Sequence, residues 1–233
     1  MLYSTPASLP SPAGSQEFPQ PNGRRRPMNP DWKPAELEVF ARLRTPEAIQ
    51  EYLDSIPYND EITCRSPRRV LRDRKAHCME GALFAAAALE RLGQAPLLVD
   101  MRAERDDDHI LALFRRNGLL GALAKSNYTG LRYRSPIYRS LRELVVSYFE
   151  DYFNPSGELT LRSYTRPLDL RSARFGQWRT REDDLDDIGE HMDTLPITVV
   201  VTSEEAAALR PVPPLLMDAG LLGANPKGLY GAH

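Results

Sequence analysis

Ala76-His77-Cys78-Met79-Glu80-Gly81-Ala82-Leu83-Phe84-Ala85-Ala86-Ala87-Ala88-Leu89 is the stretch whose reading decides the fold. From Ala82 to Leu89 every residue is apolar, and a helix apolar on all faces belongs at the centre of a domain. The pattern predicts a helix from about Met79 to Leu92, closed by Gly93 in a left-handed cap. It also sets Cys78 at the first turn, where unpaired N–H groups and the positive end of the helix dipole favour a thiolate. Arg72, Arg74 and Lys75 lie just upstream and push the same way. A thiolate is a nucleophile, so the position suits covalent catalysis; the ordinary alternative is a buried structural cysteine.

Upstream, Thr45-Pro46 and Ser66-Pro67 each read as an N-cap followed by proline at the first helical position. Helical spacing begins near Pro34, and eight of the 20 prolines fall within residues 1–34. Residues 1–33 therefore read as a disordered tail. Downstream the period changes to two. Pro96–Met101 reads as a buried strand, and His109–Arg116 with Leu119–Lys125 as a hairpin turned by Asn117-Gly118. A 3-4-3-4 apolar stripe from Leu141 to Phe153 predicts a helix with one face on the core. Further strands are expected at Glu158–Tyr164 and Leu195–Thr202, and a short helix capped by Thr202 or Ser203. The fold class is α+β: a central helix carrying the cysteine, packed on a small antiparallel sheet with helices around it. Residues 34–170 form its core and residues 171–233 a C-terminal extension.

His109 lies 31 residues after Cys78, at the start of the first hairpin strand. A helix, a strand and a loop between them can return it to the helix start. Asp106, Asp107 and Asp108 would favour a protonated imidazole, and an imidazolium stabilises a thiolate. A third group usually orients the ring. A two-residue hairpin loop sets Ser126 opposite His109, whereas a one-residue bulge sets Asn127 there. Asn127 is favoured, because its carbonyl can accept the imidazole N–H; Ser126, Asp100 and Asp108 are the reserves. Ser126 and Tyr128, in the donor-rich segment after the hairpin, are candidate substrate-binding residues.

Ser66-Pro67-Arg68-Arg69-Val70-Leu71, the run His77-Cys78-Met79-Glu80-Gly81-Ala82-Leu83-Phe84, Leu97-Leu98-Val99-Asp100 and Asp108-His109 together resemble the transglutaminase-like superfamily. The resemblance covers about residues 60–155 and implies a papain-like arrangement. In it Cys78 is the nucleophile and His109 the base, and Asn127 stands roughly where the family has aspartate. Met79 replaces the aromatic residue that often follows the cysteine, and the tryptophan of the second hairpin strand is missing. These departures weigh against protein cross-linking more than against the fold. The expected function is thiol-dependent acyl transfer or amide or peptide hydrolysis. The alternative is a non-catalytic peptide- or protein-binding module of the same fold.

The remaining composition narrows the field. The chain has 233 residues, with 30 Lys plus Arg against 32 Asp plus Glu, a net charge of −2 that disfavours a globally basic nucleic-acid binder. No run approaches the roughly 18 apolar residues of a membrane span, no export signal is readable, and a cytoplasmic location is expected. Two cysteines cannot build a disulfide framework. Residues 65–75 carry six basic side chains against Asp73, and residues 181–193 seven acidic ones against Arg181. Solvated surface is the ordinary reading of both, and the acidic segment lacks the spacing of a cation-binding loop. No metal or cofactor is expected; the partner is a peptide, a protein or a small amide.

Overall fold

The computed structural model describes residues 32–231. The expected tail lies outside them except for its last two residues, and there the boundary moves: Trp32 is buried edge-on against Phe40, ring centroids 4.8 Å apart. Helices α1 (Pro34–Arg42), α2 (Pro46–Ser55) and α3 (Pro67–Asp73) each begin with proline. Thr45 and Ser66 accept backbone N–H groups at 3.2 and 3.4 Å, satisfying donors that the first helical turn leaves open. Helix α4 (Cys78–Arg91) follows, buried without interruption from Met79 to Leu89, and Gly93 leaves it at φ +81°.

The sheet is assembled from β1 (Leu97–Ala103), β2 (His109–Arg116), β3 (Leu119–Leu123) and β4 (Arg134–Tyr138), then, after helix α5 (Leu141–Val146), from β5 (Leu161–Thr165) and β6 (Leu168–Asp169). Helix α6 (Asp186–Asp193), strand β7 (Ile197–Val199), helices α7 (Ser203–Ala207) and α8 (Pro214–Gly220) and a closing 3-10 turn at Pro226–Gly228 follow. These seven antiparallel strands run β4-β3-β2-β1-β5-β7, with β6 beside β1. The fold is therefore mixed helix and antiparallel sheet.

Strand alternation divides the core. Ile110, Ala112 and Phe114 of β2 face α4, together with Leu98 and Leu123. Leu111 and Leu113 face the other way, onto Leu144, Tyr148 and Tyr152. The stripe from Leu141 to Phe153 is buried as expected, but its helix stops at Val146. Ser147 donates back to the Leu144 carbonyl at 2.6 Å while Arg134 takes the Ser147 carbonyl, so the chain tightens into a 3-10 turn at Phe149–Asp151. The segment after residue 170 is woven into the domain. Strand β7 pairs with β5, and Phe175, Trp178, Ile188 and Met192 join the α4 side of the core.

Candidate active site

The start of α4 is fixed by a buried carboxylate. Glu80 is inaccessible and accepts from Asn59 Nδ2 (3.0 Å), Thr63 Oγ1 (2.8 Å), the Arg65 backbone N–H (3.0 Å), Arg65 Nη1 (3.1 Å) and the His77 N–H (3.1 Å). His77 Nδ1 accepts from the Met79 N–H at 3.2 Å and its Nε2 meets the Thr63 carbonyl at 2.5 Å. His77 is thus a cap, and Cys78 becomes the first helical residue. One turn further, a Cβ on Gly81 would sit 2.3 Å from Cβ of Lys125. The Lys125 ammonium crosses here to the carbonyls of Leu53 (2.8 Å) and Ile56 (2.5 Å), at the negative end of α2. Burial pushes it down to about 8.

Cys78 keeps partial exposure, and its thiol donates to the Asp108 carbonyl at 3.7 Å. The N–H groups of Ile110 and Met79 point at the sulfur and favour its charge. Desolvation outweighs them and pushes the thiol up to about 12. The expected thiolate is therefore corrected to a neutral thiol at rest. Two of the three expected cations are occupied elsewhere: Arg72 pairs with Asp73 and Glu182, and Lys75 with Glu61.

The loop does return His109 to the helix start, since the sulfur lies against the backbone on either side of it. The ring turns to the face opposite Ile110. It stands edge-on to Tyr152, centroids 6.4 Å apart, and Nε2 lies 2.8 Å from the Leu131 carbonyl. A carbonyl only accepts, so Nε2 carries the proton and Nδ1 is the basic nitrogen. Burial pushes this histidine down to about 4, so the imidazolium expected from the three aspartates is absent at neutral pH. Asp108 accepts the Ala103 N–H at 2.8 Å and Asp106 the Thr160 hydroxyl at 2.7 Å. Among the described residues no hydrogen bond or ion pair joins Cys78 to His109. Tyr152 lies against the histidine: its ring meets His109, and burial, reinforced by Asp106 and Asp108, pushes its phenol up.

Asn127 does not orient the ring. Asn117 and Gly118 take φ 53° and 80°, and the register Ala112↔Leu123 to Arg116↔Leu119 is that of a two-residue loop, without the bulge that favoured Asn127. Strand β3 also ends at Leu123, so neither Ser126 nor Asn127 pairs with β2. The orienting acceptor is the Leu131 carbonyl, a backbone group that side-chain chemistry cannot reveal. Asn127 instead clasps the backbone of Asn225: its Nδ2 donates to the carbonyl at 2.8 Å and its Oδ1 accepts the N–H at 2.7 Å. Ser126 and Tyr128 are buried. Ser126 Oγ accepts the Tyr128 N–H at 3.0 Å, and Tyr128 packs edge-on to Phe153. They shape the segment from within and do not offer substrate a surface.

Asp100 is buried on β1. Its Oδ2 accepts from Arg102 at 3.2 Å, and its Oδ1 has no partner among the described residues. Burial, reinforced by Asp108, pushes it up to about 7. The two charge runs of the sequence prove to be each other's partners in part: Arg69 pairs with Asp184 and Arg72 with Glu182. No group of His, Cys, Asp and Glu among the described residues could hold a metal ion, and no described helix is long and apolar enough to cross a membrane. No protein-family model matches the chain, and no curated protein matches it.

Proposed function

We propose that the chain performs thiol-dependent acyl transfer or amide hydrolysis at Cys78 and His109, on a transglutaminase-like plan and with a neutral resting pair. The observation that carries the reading is the seat of the Cys78 sulfur, at the first turn of the buried helix and against the strand backbone that flanks His109. The Leu131 carbonyl fixes the tautomer that leaves Nδ1 free to accept a proton. The step requires the His109 ring, which at rest faces away from α4, to swing toward the thiol as the thiol leaves the Asp108 carbonyl; the proton then passes to Nδ1 as sulfur attacks the substrate carbonyl. The Cys78 backbone N–H faces the developing oxyanion. Collapse breaks the C–N bond, and the amine leaves with the proton from His109. Water or a second amine then attacks the thioester and restores the thiol. Both cysteines are unbridged, which suits a reducing compartment such as the cytoplasm.

A second reading, a peptide-binding module without turnover, draws on the thiol being pushed up to about 12 and on the Asn127 clasp. Iodoacetamide labelling followed by mass spectrometry separates the two, with buried Cys64 as the internal control. The catalytic reading expects Cys78 to be labelled faster than Cys64, and His109→Ala to slow that labelling about tenfold or more in protein that circular dichroism shows to be folded. Equal labelling of both thiols, unaffected by His109, leaves only the binding module.

A further inference from the structure

Asn127 uses its amide nitrogen as donor and its amide oxygen as acceptor, both on the backbone of one residue of the same chain, Asn225, 98 residues away, where the chain enters the 3-10 turn Pro226–Gly228. Backbone is recognised here and the side chain is ignored. The contact extends in both directions. Thr129 donates its N–H to the Gly220 carbonyl at 2.9 Å and its hydroxyl to the Ala219 carbonyl at 2.8 Å. Beyond Asn225 the chain passes Tyr58, where a Cβ on Gly228 would lie 2.7 Å from the ring and 3.3 Å from Asn127 Nδ2. Tyr230 and Gly231 then settle beside Arg105, Asn154 and Glu158.

This path crosses the approach to the cysteine. Tyr58 bridges to Ala76, two residues before Cys78, and burial, with Cys78 the next influence, pushes the Tyr58 phenol up. The crossing segment is lightly held, for no residue from Leu221 to Gly231 is fully buried. Such a segment opens at far lower cost than the core.

We infer that Tyr58 and the Asn127–Thr129 loop form a groove for peptide backbone, and that residues 223–231, turned at Pro226–Gly228, fill it as an intramolecular ligand which an incoming peptide displaces. The groove selects backbone, with glycine where the chain passes Tyr58. That the incoming peptide is a substrate rests on the acyl-transfer reading above; that it binds does not.

The test uses a chain stopped after Leu222, the full chain carrying Gly228→Leu, and a fluorescent peptide with the sequence of residues 223–231. The stopped chain should bind the peptide, and the full chain should bind it at least about tenfold more weakly, because its own segment competes at high effective concentration. Adding Asn127→Ala to the stopped chain should weaken capture about tenfold without lowering the melting temperature. A peptide with leucine in place of Gly228 should bind poorly. A folded stopped chain that ignores the peptide overturns the inference. If the stopped chain does not fold, Gly228→Leu decides: it must gain peptide binding over the unaltered full chain, and failure to do so is equally fatal. Polarisation reads capture without turnover, so an inactive Cys78 leaves this result standing.

Discussion

Glu80 and Asp100 are both buried beside Cys78, and the chain treats them in opposite ways. Glu80 accepts five hydrogen bonds, one from a guanidinium that is itself buried. Asp100 receives one, from Arg102, and leaves an oxygen without a partner. A buried carboxylate that is fully satisfied holds structure, because every donor around it depends on its charge. One that is under-satisfied stores an unfavourable charge and titrates near neutrality instead. The two carboxylates thus divide the work around the thiol: one places the helix that carries it, and the other adds a small electrostatic contribution to what burial already does to the thiol.

The largest effect comes from breaking the satisfied side. Glu80→Ala should cost about 3 kcal/mol, since it leaves the buried Asn59, Thr63 and Arg65 N–H donors without their acceptor and frees the His77 cap, while the Arg65 guanidinium keeps Glu61 and Asp73. Urea denaturation reads this directly, and a loss below about 1 kcal/mol would show that the network contributes little.

Glu80 also shows what could be read from the chain alone. Local signals were legible: Thr45, Ser66 and Asn117-Gly118 act through neighbours within a few residues, and each does what its residue type prescribes. The central helix was legible because no partly exposed helix can be apolar all round. The long-range groups were not. Glu80 looks like an ordinary first-turn acid until Asn59, Thr63 and Arg65 fold over it. Strand β4 hides behind Pro136, a residue that argues against a strand unless it lies at the sheet edge, as it does here. The ring of His109 is oriented by a carbonyl, which no side chain announces. The charge runs at 65–75 and 181–193 were visible as composition, but not as partners, because pairing belongs to topology.

A smaller effect tests the under-satisfied side. Asp100 is pushed up to about 7, so its ionisation penalty is absent below about pH 4 and accrues as pH rises to 7. Asp106, pushed up to about 6, adds a penalty of the same sign. His109 works in reverse: pushed down to about 4, it contributes fully above about pH 6.5 and loses stability as pH falls through that window. Asp100→Asn removes the first contribution alone. The variant should be about 1–2 kcal/mol more stable than the parent at pH 8, with the difference vanishing near pH 4. A difference that stays constant with pH would show that Asp100 ionises normally.

The smallest effect sharpens the comparison from outside. Asp193 is exposed, yet it pairs with Arg102 at 3.1 Å, the same cation that holds Asp100. Its negative charge is one of the influences that push Asp100 up. An exposed pair of this kind contributes about 0–1 kcal/mol, so Asp193→Asn should hardly move the melting temperature. It should nevertheless lower the Asp100 midpoint by a few tenths, for two reasons that act together. A repelling charge is removed, and Asp100 becomes the one carboxylate that Arg102 holds, beside the Met192 carbonyl. Carbon-13 titration of the Asp100 carboxyl measures this without reference to stability. The same substitution should leave the cost of Glu80→Ala unchanged, because the partners of Glu80 come from residues 59–77 and none from α6. A change in that cost would mean that one field governs the whole helix start, and the division between scaffold and titrating group would fail.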